Sequence, residues 1–251
     1  MAKMIVSDLD GTLLRSDKTV SEHTVRVLKE MEAEGNKVAF ATARPPRDAF
    51  RLIPDELKND LVICYNGAII YSDKKVVYSQ EMPLSTIMEI FEIAGQFGLD
   101  QISMEVSDVL HSTFDVEKVF GPIPYSPIEL GSYDFASTHK VMIYAEEKIP
   151  AEFIESLPDS CTAVVTDSGI LCQIVRKGVT KWNSIEHVLE TLGLDHSSVI
   201  AFGDDYNDME MIQNSGVGVA MGNAVADLKA VADHVTVSND EDGVVAFLQA
   251  Y

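Results

Sequence analysis

The chain has 251 residues, with 40 Asp and Glu against 19 Lys and Arg, a formal net charge of −21. That charge repels a phosphate backbone or an anionic membrane surface, both of which are met by basic patches, so nucleic acid and membranes are excluded as partners. A composition that is 46% hydrophobic and 24% charged is that of a globular chain, long enough for one large or two modest domains. Three cysteines with no CxxC pair, and an N-terminal stretch without an apolar leader, point to a reduced, cytoplasmic protein. Nowhere do about 18 apolar residues run together, so no membrane segment is expected. The six histidines show neither HExxH nor a finger-like spacing, which leaves a zinc site without support.

In chain order, residues 4–6 are a short apolar run that ends in Ser7-Asp8-Leu9-Asp10-Gly11. Ser21 opens a stretch with Val25, Leu28 and Met31 at helical spacing, closed by Gly35. Strands are predicted over 37–41 and 61–65. Buried runs separated by amphipathic helices predict βαβ units and a parallel sheet.

From 82 to 175 the pattern changes. One helix carries Ile87, Ile90, Phe91 and Ala94 on a single face, and extended pieces follow over 101–106, 109–113, 140–144 and 163–166. Gly121-Pro122-Ile123-Pro124-Tyr125-Ser126-Pro127 can hold neither a helix nor a central strand. The stretch 82–175 therefore reads as an α+β domain inserted into a first domain made of 1–81 and 176–251. The last third returns to the earlier rhythm, with helices over 182–192, 209–214, 224–233 and 242–250 and extended segments over 199–202, 217–220 and 234–237.

The sharpest local feature is Asp8-Leu9-Asp10-Gly11-Thr12 after the first strand. Carboxylates at i and i+2 on an extended segment point to one side, at the edge where open α/β sheets bind ligands. Gly11 allows a sharp turn and a close backbone approach to an anion. Read alone, the segment is also a turn with solvated aspartates. A second cluster, Gly203-Asp204-Asp205-Tyr206-Asn207-Asp208, follows the buried run 199–202. Two strands of one sheet would then bring Asp8, Asp10 and Asp204 together, and an all-oxygen cluster of that charge favours Mg²⁺. Thr42 ends another strand and Lys181 precedes a helix. Individually a lone Thr there is usually an N-cap and a lone Lys usually a solvated charge.

Taken in order along the chain, Asp8-Leu9-Asp10-Gly11-Thr12, Thr42, Lys181 and the 203–208 cluster resemble the four motifs of the haloacid dehalogenase superfamily. The likeness is greatest to its Cof-type hydrolases and spans essentially the whole chain. Further Cof-like elements are Tyr65-Asn66-Gly67-Ala68, Ala220-Met221-Gly222-Asn223-Ala224 and Asp242-Gly243-Val244. The resemblance implies a Rossmann-like parallel-sheet core with an inserted α+β cap of the class-2 kind over 82–175, which selects the substrate. Within that cap Glu105, His111, Tyr125 and His139 are candidates for facing the cleft, and equally for surface or core positions.

The resemblance also implies a chemistry. Asp8 is the nucleophile that forms an aspartyl-phosphate, and Asp10 protonates the leaving oxygen and then activates water. Mg²⁺ is held by the Asp8 and Asp204 carboxylates and the Asp10 backbone carbonyl, with Asp208 behind them orienting metal-bound water or Lys181. The Thr42 hydroxyl, the Leu9 and Ala43 amides, Lys181 and the Asn207 amide cradle the phosphoryl oxygens. A phosphate monoester is a dianion approaching a carboxylate, so local countercharge is required whatever the net charge of the chain. Asp10, where the transport ATPases of the superfamily carry Thr, favours a soluble phosphatase or a phosphomutase.

Two residues depart from the pattern. Ala43 and Trp182 stand where Gly is common, and each adds a side chain beside the active-site backbone. Arg44 and Asn66 are candidate substrate contacts, though a helix start and an Asn-Gly turn account for them as well.

The expected function is therefore Mg²⁺-dependent hydrolysis of a small phosphorylated metabolite, a sugar phosphate or a phosphorylated cofactor. A phosphomutase using the same aspartyl-phosphate and a non-catalytic sensor of a phosphometabolite are the alternatives. A receiver-type signalling domain also uses an Asp cluster and Mg²⁺, but is about half this length and has no cap. No sequence signal fixes the oligomeric state.

Overall fold

In the computed structural model, which describes residues 3–58, 60–129, 131 and 134–251, an N-terminal stretch alternates strands and helices. It comprises β1 (Met4–Ser7), α1 (Glu22–Ala33), β2 (Lys37–Ala41), α2 (Pro46–Leu52), β3 (Leu61–Cys64), β4 (Ile69–Ser72) and β5 (Lys75–Ser79). Met1 and Ala2, with which the expected core begins, lie outside the described residues. A middle stretch follows: β6 (Met82–Pro83), α3 (Leu84–Gln96), β7 (Gln101–Val106), β8 (Val109–Ser112), α4 (Glu117–Phe120) and β9 (Ser126–Pro127). It continues with β10 (Ser137–Thr138), β11 (Lys140–Tyr144), α5 (Ala151–Glu155), β12 (Cys161–Thr166) and β13 (Leu171–Arg176). The chain ends with α6 (Lys181–Leu192), β14 (Val199–Gly203), α7 (Met209–Asn214), β15 (Val217–Ala220), α8 (Ala226–Val231), β16 (His234–Val235) and α9 (Gly243–Ala250).

The chain divides into two compact units, Met1–Ser79 with Thr180–Tyr251, and Gln80–Val179. The first holds an eight-stranded sheet in the order β16-β15-β14-β1-β2-β3-β4-β5, parallel from β16 to β3 and antiparallel over the last two strands. Its central strands are apolar on both faces: all of β1 and β14 is buried, as parallel strands between helical layers must be. α1 and α6 start on side-chain caps, Ser21 accepting from the Thr24 amide and Thr180 from the Asn183 amide. From β1 the chain winds outward through β2 and β3 on one side, and through β14, β15 and β16 on the other. The strand order therefore reverses at the β1/β14 seam, which opens a crevice beyond the strands' carboxyl ends. Ser7 lies in register with Phe202 across that seam.

The second unit is a six-stranded sheet, β12-β13-β11-β7-β8-β9, antiparallel except for the short β8–β9 pair. Alternate residues Ile102, Met104, Val141, Ile143, Cys172 and Ile174 pack with Ile87, Ile90, Phe91 and Ala94 of α3 and Phe153 of α5. Ser103, Glu105 and Lys140, which alternate with these, are buried polar groups on the other face, Glu105 lying opposite Lys140. β9 falls in the proline-rich segment but at the edge of the sheet, where a missing N–H is tolerated. Among the described residues no helix is long and apolar enough to cross a membrane.

Several elements differ from the expectation, and α2, α4, α5 and β13 had no counterpart in the sequence reading. α8 and β16 are shorter than the runs 224–233 and 234–237. The strand expected over 61–65 stops at Cys64, because Tyr65 and Asn66 turn with φ of 51° and 55°. The hairpin β4–β5 had no counterpart in the sequence reading.

Gly218 in β15 runs so close to α7 that a Cβ there would lie 2.1 Å from the Ile212 carbonyl oxygen. Gly218→Ala is expected to destabilise the fold by about 1–3 kcal/mol or more, read from the midpoint of urea unfolding. A pH effect follows from Asp60, whose carboxyl is pushed up to about 8 by burial and by a hydrogen bond and repulsion from Glu32 on α1. The folded protein keeps this proton where an unfolded aspartate, with a pKa of about 3.9, has released it. Stability contributed by Asp60 is therefore lost progressively as pH rises from about 4, and is gone above about 8. Asp60→Asn is expected to raise Tm at pH 8.5 and leave it unchanged at pH 3.5, and equal effects at both would refute the assignment.

Candidate active site

β1 ends at Ser7, and the chain then turns through Asp8, Leu9 and Asp10 to Gly11, whose φ is +74°. The turn is closed by the Leu14 amide donating to the Leu9 carbonyl at 2.8 Å and the Leu13 amide to the Asp8 carbonyl at 3.2 Å. At the end of β14 the 203–208 segment folds as a capping box. The Asp205 side chain accepts from the Tyr206 amide at 2.8 Å, while that of Asp208 accepts from the Asp204 and Asp205 amides at 3.0 and 3.2 Å. This draws the Asp208 side chain inward to full burial and leaves the Asp204 carboxylate facing the β1 turn. Gly11 makes that approach possible, because a Cβ there would lie 2.2 Å from Asp204 Oδ2. The Thr12 hydroxyl donates to the other Asp204 oxygen at 2.8 Å.

Lys181, the first residue of α6, is 1% exposed. Its ammonium donates to Asp8 Oδ1 at 2.6 Å and to Asp208 Oδ1 at 2.7 Å, bonds that span 173 and 27 residues of sequence. Asp8, Asp204 and Asp208 each offer an oxygen within 4.8 Å of the others. The sequence reading grouped Asp8 with Asp10 and Asp204. The i,i+2 argument stops where the strand does, and the third member of the group is Asp208. The Asp10 carboxylate turns instead to Arg44, which donates from Nε at 2.5 Å and from a terminal nitrogen at 2.7 Å, and to Lys18 at 2.9 Å.

The electrostatics of the group follow from burial. Burial pushes the Asp8 carboxyl up to about 8, with Lys181 opposing and Asp208 and Asp204 adding to the rise. Burial likewise pushes Asp204 up to about 6, the Thr12 hydrogen bond opposing and Asp208 adding. For Lys181 burial works against the ammonium, but Asp208 and Asp8 outweigh it and hold the group above the ordinary lysine range. Burial opposes ionisation of Asp10 too, yet the hydrogen bonds from Arg44 and Lys18 keep its carboxyl below the usual range. Three carboxylates and one ammonium sum to a formal −2 when all are ionised. A divalent cation with oxygen ligands fits that charge and that donor set.

Thr42 follows β2 and is buried, its hydroxyl accepting from the Arg44 amide at 3.1 Å. The Tyr65–Gly67 turn is stitched to the same segment, the Asn66 amide donating to the Thr42 carbonyl at 2.9 Å and the Tyr65 amide to that of Arg44 at 3.1 Å. The Asn207 side-chain amide donates to the Asn66 side-chain Oδ1 at 3.0 Å, so these two side chains face each other. Leu9 is buried within the β1 turn, and Ala43 lies between Thr42 and Arg44. Trp182, expected beside the active-site backbone, is buried with its ring edge-on to His196 at 4.8 Å. Lys18 escaped the sequence reading altogether. It sits in a tight turn with φ of 67°, eight residues beyond Asp10, and neither periodicity nor motif marks it.

Three comparisons bear on this arrangement. Residues 5–248 match the family model described as haloacid dehalogenase-like hydrolase. The chain is 29% identical to 5-amino-6-(5-phospho-D-ribitylamino)uracil phosphatase YitU of Bacillus subtilis, covering 99% of this chain and 97% of the relative. It is 31% identical to putative phosphatase YkrA of the same organism, over 97% and 95% of the two chains. Among solved structures, a haloacid dehalogenase-like hydrolase from Bacteroides thetaiotaomicron superposes with a TM-score of 0.84 at 28% identity, covering all of both chains. With the family model matched over nearly its whole length, the chain belongs to the haloacid dehalogenase-like hydrolases.

Proposed function

We infer that this protein is a phosphatase that hydrolyses a small phosphate monoester through an aspartyl-phosphate on Asp8. The observation that carries the reading is the buried Lys181 ammonium bridging Asp8 and Asp208 beside Asp204, at the seam where the strand order of the sheet reverses. Asp8 Oδ forms a bond to phosphorus as the ester P–O bond breaks, and Asp10, which must take up a proton for this step against the pull of Arg44 and Lys18, gives it to the leaving oxygen. In the second half Asp10, now a carboxylate, takes a proton from the water that attacks phosphorus, and the Asp8 carboxylate is restored. The contacts from Arg44 and Lys18 favour Asp10 in the ionised form that this second half requires. Lys181 keeps Asp8 oriented and opposes the charge of the arriving dianion.

The Thr42 hydroxyl, the Leu9 and Ala43 amides, Lys181 and the Asn207 amide are the groups assigned to the phosphoryl oxygens. The Asp8 and Asp204 carboxylates and the Asp10 backbone carbonyl are assigned to Mg²⁺, which would supply countercharge between nucleophile and substrate, with Asp208 orienting Lys181 from behind. The substrate class is a sugar phosphate or a phosphorylated cofactor. A relative of similar length named for a phosphoribityl compound supports that class. The Gln80–Val179 unit is assigned to substrate selection.

Turnover of p-nitrophenyl phosphate with Mg²⁺ tests the reaction. The wild type is expected to release free phosphate and Asp8→Asn to lose about 10³-fold or more in kcat; wild-type rates in that variant would overturn the mechanism. Asp204→Asn is expected to raise the Mg²⁺ concentration for half-maximal activity by about tenfold or more, and an unchanged titration refutes its place at the metal.

A further inference from the structure

Two motifs marked in the sequence, 220–224 and 242–244, have no part in the chemistry above. The loop after β15 is nevertheless hydrogen-bonded to both acid-bearing segments. Asn223 donates its side-chain Nδ2 to the Gly11 carbonyl at 2.7 Å, and its Oδ1 accepts the Asn239 backbone N–H at 3.0 Å. Both ends of the amide are used, which sets its orientation. Two residues on, the Val225 N–H donates to the Asp204 carbonyl at 2.9 Å, and the Met221 N–H donates to the Gly203 carbonyl at 3.0 Å. One short loop thus grips the turn that follows Asp8 and the backbone of Asp204 itself.

That loop is braced from behind. The Gly222 N–H donates to the Val237 carbonyl at 3.0 Å, and the Lys229 ammonium to the Gly222 carbonyl at 2.6 Å. The Asn239 side chain reaches the Leu14 carbonyl at 2.9 Å, and Asp242 pairs with Arg15 through both carboxylate oxygens at 3.0 and 2.7 Å. The 237–242 turn therefore anchors both Asn223 and the far end of the Asp8 turn, and Asn223 is the side chain that joins this anchor to Gly11.

We propose that Asn223 is a positioning residue for the divalent-cation site: by holding the Gly11 carbonyl against a loop that also holds Asp204, it sets the spacing between the Asp8 and Asp204 ligands. The proposal rests on the metal reading given above. Mg²⁺ demands near-octahedral placement of its oxygens, and groups that orient a ligand from behind are worth about 10- to 100-fold in metal affinity. The path here is short. Gly11 touches the Asp204 carboxylate, and its neighbour Thr12 hydrogen-bonds the same group. Asn223 itself is exposed, so truncating it opens no core cavity.

The test is a Mg²⁺ titration of metal-free protein followed by the rise in Tm, with no substrate and no turnover. Asn223→Ala is expected to raise the Mg²⁺ dissociation constant about tenfold or more, while its metal-free Tm stays within about 4 °C of wild type. Asn223→Ser, also too short to reach Gly11, provides a second reading of the same quantity. Dissociation constants within about twofold of wild type in the folded variants, with or without a fall in metal-free Tm, overturn the proposal and leave the metal site intact. A wild type that takes up no Mg²⁺ overturns the metal reading and this inference together.

Discussion

The site depends on one buried ammonium. Lys181 is enclosed with Asp8 and Asp208, and Asp204 stands alongside, so a single positive charge faces two buried carboxylates and a third that is partly exposed. Such a group is tolerated only where every member is paired, because an unmatched buried charge is strongly destabilising. Most of the local architecture serves that pairing. The capping box that begins at Asp205 buries Asp208, the Thr180 cap starts α6 so that Lys181 is its first residue, and β1 and β14 lie side by side. The residual negative charge, left uncancelled by lysine, has the sign and the oxygen donors that a divalent cation takes.

This resolves the apparent conflict between a chain of charge −21 and an anionic substrate. The sign that matters is local. Lys181, Arg44 and Lys18 are gathered around the β1 turn, each on a carboxylate, while other acidic residues such as Asp17 and Asp55 are engaged at the surface with hydroxyls and lysines. Net charge governs which large partners are repelled and says nothing of a site a few ångströms across.

The strands that carry chemistry were legible in the sequence because parallel, buried strands read as unbroken apolar runs, and 4–6 and 199–202 are such runs followed at once by acids. Lys181 was legible only through its order relative to other motifs. By residue type alone it is a surface charge, and nothing in its neighbours announces burial at 1%. The grouping of Asp10 failed for a geometric reason, since strand alternation was carried two residues beyond the strand. The β4–β5 hairpin was invisible because its turn residues, Asp73 and Lys74, adopt positive φ without the glycine that ordinarily marks such turns. The same holds for Ser107 and Asp108 between β7 and β8, where the strands themselves were strong enough to be read. In the middle unit the helix α3 was read from its apolar face, whereas the buried polar row of Glu105 and Lys140 belongs to pairing across strands, which no local window contains.

The register of β1 against β14 has a consequence for how the molecule is made. β1 meets β2 some thirty residues later, a local pairing, but its other edge stays open until β14 arrives, and the bond from Lys181 to Asp8 spans 173 residues. During synthesis the N-terminal strands can pair while Asp8 still lacks its counterion and β1 its second neighbour. The whole Gln80–Val179 unit, with its own hydrophobic core, emerges in that interval. The acid cluster therefore cannot form before Asp208 has left the ribosome, and the β14 pairing that accompanies it covers the second edge of β1.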